Sequence, residues 1–155
     1  MILQIPITEA EHLIESKTGK RISVCVIDNN TFKVGHELKV KSFLGEITKN
    51  ISIDVKIEKI IDNSLYLLYS SGGLVTDMAL NGILSAFPAF SSKNVVRFVE
   101  RNRLVVNLTE IEEARKVLKN IRINNISFAN ENASYEIFKI YLVNKFKFVD
   151  LCRCC

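Results

Sequence analysis

Only two histidines, His12 and His36, occur in the chain, and no spacing joins either to paired acids or cysteines in a metal or nucleophile motif. The four cysteines are badly placed for a disulfide framework: Cys25 stands alone, and Cys152, Cys154 and Cys155 crowd the last four residues. Reduced thiols are the simpler expectation. No apolar run approaches the ~18 residues needed to span a bilayer. The longest candidate, Leu74 to Phe90, is interrupted by Asp77, Asn81, Gly82 and Pro88. The opening Met1-Ile2-Leu3-Gln4-Ile5-Pro6 lacks a positive flank and reaches Glu9 and Glu11 too early for a signal peptide, so the expected location is cytoplasmic. A concentrated basic stripe is missing too. The 21 Lys and Arg against 17 Asp and Glu leave a net charge of +4, with signs interleaved as in Glu58-Lys59. Nucleic acid is therefore not an expected partner.

What is present has the balance of an ordinary globular domain, with 48% hydrophobic and 25% charged residues in 155. We expect one α+β domain over residues 1–150, followed by a short Cys-rich tail at 151–155. The architecture expected is a mainly antiparallel sheet of about eight strands with two or three helices packed on it.

Thr8-Glu9-Ala10-Glu11 fits a capping box and predicts a helix from Glu9 to Lys17, ended by Gly19. From Ile22 the period becomes two: Ile22, Val24 and Val26 lead into Asp28-Asn29-Asn30, a turn, and Phe32, Val34, Leu38 and Val40 share one face of the returning arm. Gly45 marks the next turn. Ile47, Ile51, Ile53, Val55 and Ile57 then form the clearest strand, and Asp62-Asn63 turns into Leu65 to Tyr69. That segment is bulky on both faces and should lie more centrally or under a helix. Four strands form a meander. Ser71-Gly72-Gly73 opens an apolar helix from Leu74 to Phe87, stopped by Pro88. A second hairpin, Val95 to Glu100 and Arg103 to Leu108, turns at Arg101-Asn102. Thr109-Glu110-Ile111-Glu112 repeats the capping box before a helix to Lys119, buried along Ile111, Ala114 and Leu118. Ile121 to Phe128 and Ala133 to Val143 complete the chain as strands, with a bulge at Asn124-Asn125.

Candidate sites are few. His36 falls in the inward register between Val34 and Leu38, where a satisfied core or sheet-edge histidine is the simpler reading and an enzyme pairing it with a carboxylate the alternative. The Cys tail reads as an oxidisable terminus; metal binding would need ligands from elsewhere, and palmitoylation is the further option. Ser71-Gly72-Gly73 has neither the Lys nor the Gly spacing of a phosphate loop, and Ser70 and Ser71 lack the glycines of a nucleophile elbow. Asp77 and Asn81 make a polar ridge that lines a cavity, contacts backbone or faces water. No cofactor, metal site or catalytic set is expected.

The opening amphipathic helix, the long amphipathic strands and the Gly-Gly-led apolar helix resemble half of the tubular lipid-binding fold of bactericidal/permeability-increasing proteins and synaptotagmin-like lipid-transfer domains, over about residues 22–143. No ligand residue of that family carries over. The chain also resembles small uncharacterised bacterial proteins, which implies no activity. The leading expectation is a non-catalytic binding domain for an apolar small molecule or lipid, with Met78, Asn81, Leu84, Phe87, Phe90 and Tyr66 as candidate ligand contacts. A protein-interaction or homo-oligomerisation module, pairing through a strand edge or the Phe87/Phe90 patch, is the alternative.

Overall fold

The structure, a computed structural model, describes residues 1–70, 84, 94–100, 102–132 and 135–144. The predicted helix Leu74 to Phe87, apart from Leu84, and the Cys-rich tail lie outside the described residues.

The chain opens with strand β1 (Ile2–Pro6), which runs directly into helix α1 (Ile7–Thr18). The meander follows as β2 (Ile22–Val26), β3 (Thr31–Ser42), β4 (Gly45–Ile61) and β5 (Ser64–Ser70). A hairpin, β6 (Val96–Glu100) and β7 (Arg103–Asn107), leads through a 3-10 turn (Leu108–Glu110) into helix α2 (Glu112–Leu118). Strands β8 (Ile121–Asn132) and β9 (Tyr135–Asn144) come last. All pairings are antiparallel. The strands divide into a 6-stranded sheet, order β2-β3-β4-β5-β7-β6, and a 3-stranded sheet, order β1-β9-β8.

The mainly antiparallel α+β class is thus the observed one, but the strands among the described residues number nine in two sheets instead of about eight in one. The additional strand is β1. Its short segment carries no strong alternation and is extended by pairing with β9, Ile2 opposite Tyr141 and Pro6 opposite Ile137, a contact between the two ends of the described chain. The meander, the central place of β5 and the β8 bulge between Ile123 and Asn125 match the sequence reading.

Period-two alternation sorts the six-stranded sheet into two faces. Directly opposed residues share a face, so Val34↔Ile53, Val55↔Tyr69 and Leu67↔Leu104 form rows on the inner one. Ile22, Ile53, Tyr69, Leu104 and Val106 are buried there, with Ile14 of α1, Leu84, Leu108 and Ile111 packed over them. Further along the same face, Ile57 joins Ile7, Leu118, Ile123, Ile126 and Phe128, so the three-stranded sheet and both helices lie on this side. The rings of Phe32 and Phe128 meet across the two sheets at 4.9 Å between centroids, tilted by 47°. The predicted stripe of Ile111, Ala114 and Leu118 does pack inward.

Neither capping box forms. Pro6, with φ −56°, enters α1 directly, which puts Thr8 inside the first turn, where it makes no cap bond. The Glu11 carboxylate instead accepts from the Val24 amide of β2, fastening the helix to the edge of the sheet. At the second site Asn107 caps the 3-10 turn: its Oδ1 accepts from the Thr109 amide at 3.1 Å and the Thr109 hydroxyl at 2.7 Å, and α2 then starts without a side-chain cap. Sequence-local pairs lose here to partners that tertiary structure brings closer. The predicted end of α1 is correct, with Gly19 at φ 65° and its amide bonded to Glu15 O at 2.8 Å.

Strand β8 is an edge of the small sheet, and its open side is closed by asparagines. The turn between β4 and β5 places Asp62 and Asn63 at φ 49° and 62°, left-handed values that Asn and Asp tolerate. Asn63 is 1% exposed; its Oδ1 accepts from Ile123 N at 2.7 Å and its Nδ2 donates to Ile121 O at 3.1 Å. Between them Arg122 pairs with Asp62 at 3.1 Å. Past the bulge the Ile126 amide donates to Asn125 Oδ1 at 2.9 Å, and the Phe128 amide to Asn29 O at 2.9 Å. A ladder that would otherwise be open to a further strand is thereby satisfied within the fold. Asn29 lies in the β2–β3 turn, where the Asn30 amide donates to Asp28 Oδ1 at 2.9 Å. That bond, aided by the Thr31 hydroxyl, holds the Asp28 carboxyl below the usual aspartate range.

Candidate ligand-binding site on the outer face

The outer face of the six-stranded sheet is polar over β2, β3 and β4 and is laced by surface ion pairs. Lys33 meets Asp54 at 3.7 Å, and Arg103 bridges Glu58 at 3.2 Å and Glu100 at 2.8 Å, which raises the Arg103 pKa above its usual value. Such exposed pairs contribute little to stability.

Across β4, β5, β7 and β6 runs a row of different character: Lys59, Tyr66, Val105 and Arg97 are successive cross-strand neighbours. Lys59 Nζ lies 4.8 Å from the centre of the Tyr66 ring, a cation–π contact that holds the ring against the sheet. Val105 is buried between Tyr66 and Arg97. The next row pairs Ser64 with Asn107, and Asn94 precedes β6 alongside them. Ser64, Tyr66, Asn94, Arg97, Val105, Asn107 and Glu110 of the 3-10 turn line an open concavity of about 410 Å³. Val105 and the Tyr66 ring are its apolar lining, and Ser64, Asn94, Arg97, Asn107 and Glu110 its polar one.

The polar groups are unequally committed. Glu110 is paired with Arg115 at 3.4 Å, and Arg115 is itself fixed by a 2.7 Å bond from its Nε to Thr109 O. Asn107 Oδ1 is occupied by Thr109, which orients the side chain. Arg97, exposed, makes no ion pair among the described residues.

Of the residues singled out from the sequence, Tyr66 lines this concavity, whereas Leu84 packs against the inner core. Met78, Asn81, Phe87 and Phe90 lie outside the described residues. His36 is buried, and its Nδ1 donates to Arg21 O at 3.0 Å; no carboxylate bonds it among the described residues. It borders a second hollow of about 320 Å³ over Gly35, with Ser23 and Ser52 on either side. His12 and Cys25 are exposed. Among the described residues, no group of three His, Cys, Asp or Glu is arranged to hold a metal ion, and no helix is long and apolar enough to cross a membrane.

The Arg97–Val105–Tyr66 row escapes a reading along the sequence because its members come from three strands. Arg97 and Val105 look like ordinary outward and core positions of a hairpin. Only the register places a cation, an aliphatic side chain and an aromatic ring side by side. No protein family, curated protein or solved structure matches the chain.

Proposed function

We propose that this protein is a non-catalytic binding domain for a small carboxylate with a flat apolar body, held on the outer face over Val105. The Lys59–Tyr66–Val105–Arg97 row carries the reading. A planar guanidinium beside amide edges suits a carboxylate. Val105 and the Tyr66 ring suit an apolar plane. The concavity, at about 410 Å³, is in the size range of small-molecule sites. Its acid is already spent on Arg115, and Ser64 has no bonded base among the described residues, so the groups present orient a ligand rather than transform it.

This reading keeps the binding class expected from the sequence, while the polar edges favour an amphipathic anion over a wholly apolar molecule. Benzoate is a suitable probe and benzamide its neutral counterpart. Benzoate should raise the Tm of the protein and benzamide should do so far less. Arg97→Met should abolish the difference, and Tyr66→Leu should weaken benzoate without unfolding the sheet. Equal effects of the two probes, or a benzoate effect unchanged in Arg97→Met, would remove this reading.

A further inference from the structure

The β3–β4 hairpin continues well beyond the core. The last buried cross-strand pair is His36↔Ile51, and six further pairs follow, from Glu37↔Asn50 to Ser42↔Gly45. By the rise of antiparallel strands that is an arm of about 20 Å. Every side chain described from Glu37 to Asn50 is exposed. The alternation that buries Ile51, Ile53, Val55 and Ile57 is interrupted on the same face by Lys49, and Ile47 beyond it is exposed.

At the tip the two-residue loop Phe43-Leu44 closes the hairpin, with Gly45 at φ 124°, a backbone conformation that L side chains rarely adopt. Phe43 and Leu44 are fully exposed. Hydrophilic turn residues would close a hairpin at no hydrophobic cost, so two large apolar side chains there are not explained by the turn itself. Residues 37–50 hold three lysines against two glutamates. Glu46 is paired with Lys39 at 3.6 Å, while Lys41 and Lys49 make no ion pair among the described residues.

We infer that the β3–β4 arm docks the protein on an anionic lipid surface, with Phe43 and Leu44 entering the headgroup layer and Lys41 and Lys49 meeting lipid phosphates. The shape is convex, an apolar apex on cationic shoulders. A fluid interface accommodates such a tip without a preformed groove, and long lysine stems can lie along it while their ammonium groups stay at phosphate level. Excess positive charge selects anionic over zwitterionic lipid. This inference is independent of the ligand site, which lies at the opposite end of β4, at Lys59, and on β5, β7 and β6.

The test is co-sedimentation with phosphatidylcholine vesicles prepared with and without phosphatidylserine. The wild-type protein should bind the phosphatidylserine vesicles, release them at high salt, and not bind phosphatidylcholine alone. Phe43→Ser with Leu44→Ser should lower the affinity by about tenfold or more. Lys41→Gln with Lys49→Gln should lower it about fivefold for each charge removed. Both double variants should keep the wild-type Tm, because all four side chains are exposed. Absence of wild-type binding to phosphatidylserine vesicles, or full binding by the serine variant, would overturn the inference. So would self-association of the wild type that the serine variant abolishes, with no vesicle binding, since the arm would then be a contact between copies of the chain.

Discussion

Asn63 and Ile123 are 60 residues apart in the chain, yet the Asn63 Oδ1 accepts the Ile123 amide at 2.7 Å, and the same carboxamide donates to Ile121 O. One side chain therefore replaces a stretch of neighbouring strand along β8 and joins the turn of the large sheet to the edge of the small one. Removing it leaves a buried donor and acceptor unpaired, each costing about 1–3 kcal/mol. Asn63→Gly keeps the positive φ and should lose about 2–4 kcal/mol in urea unfolding. Asn63→Ala should lose about 1 kcal/mol more, from the left-handed backbone. Equal losses would mean that the turn conformation contributes nothing.

The contact between Phe32 and Phe128 should behave as core in spite of joining different sheets. Phe128 is buried, so Phe128→Ala should cost about 3–5 kcal/mol, and Phe128→Leu distinctly less. Denaturant midpoints of the two variants test this. A small effect of the alanine variant would mean that the sheets do not depend on each other.

Glu11 and Thr8 separate two accounts of α1. A capping box would make both important, whereas here Glu11 holds the β2 backbone and Thr8 makes no cap bond among the described residues. Thr8→Ala should change stability by less than about 0.5 kcal/mol. Glu11→Ala should cost about 1.5–3 kcal/mol, the range for a hydrogen bond to a charged group. Thermal unfolding of the two variants ranks them directly.

Asp28 gives the fold a pH dependence of known sign. Its carboxyl titrates lower in the folded protein than in the unfolded chain, chiefly because the Asn30 amide bonds the ionised form. The stabilisation is therefore fully present above the unfolded aspartate value and is lost as pH falls through the folded one. Asp28→Asn should narrow the stability gap between neutral and acid pH, and the two proteins should converge at the acid end. Parallel Tm-against-pH curves for wild type and Asp28→Asn would contradict this.

The antiparallel class was legible because burial imposes a period of two: Ile51, Ile53, Val55 and Ile57 announce β4, and the bulky Leu65 to Tyr69 announces a central strand. His36 was correctly placed inward by the same register. What stayed hidden depended on distant pairing. Strand β1 has little alternation and needs β9; Asn63 reads as a turn residue, which it is, while its bonds to β8 need the packed fold. The concavity had one legible member, Tyr66, since Arg97 and Val105 join it only through strand order. Ile47 reads from the sequence as one more member of the buried face of β4, yet Lys49 interrupts that face and Ile47 is exposed.

The most direct test of the binding-domain account is an amide chemical-shift titration of the protein with benzoate. The account predicts saturable shifts confined to residues around Ser64–Tyr66, Arg97, Val105–Asn107 and Glu110, lost in Arg97→Met. Shifts centred on the inner-face strands, or no saturable shifts at all, would contradict it.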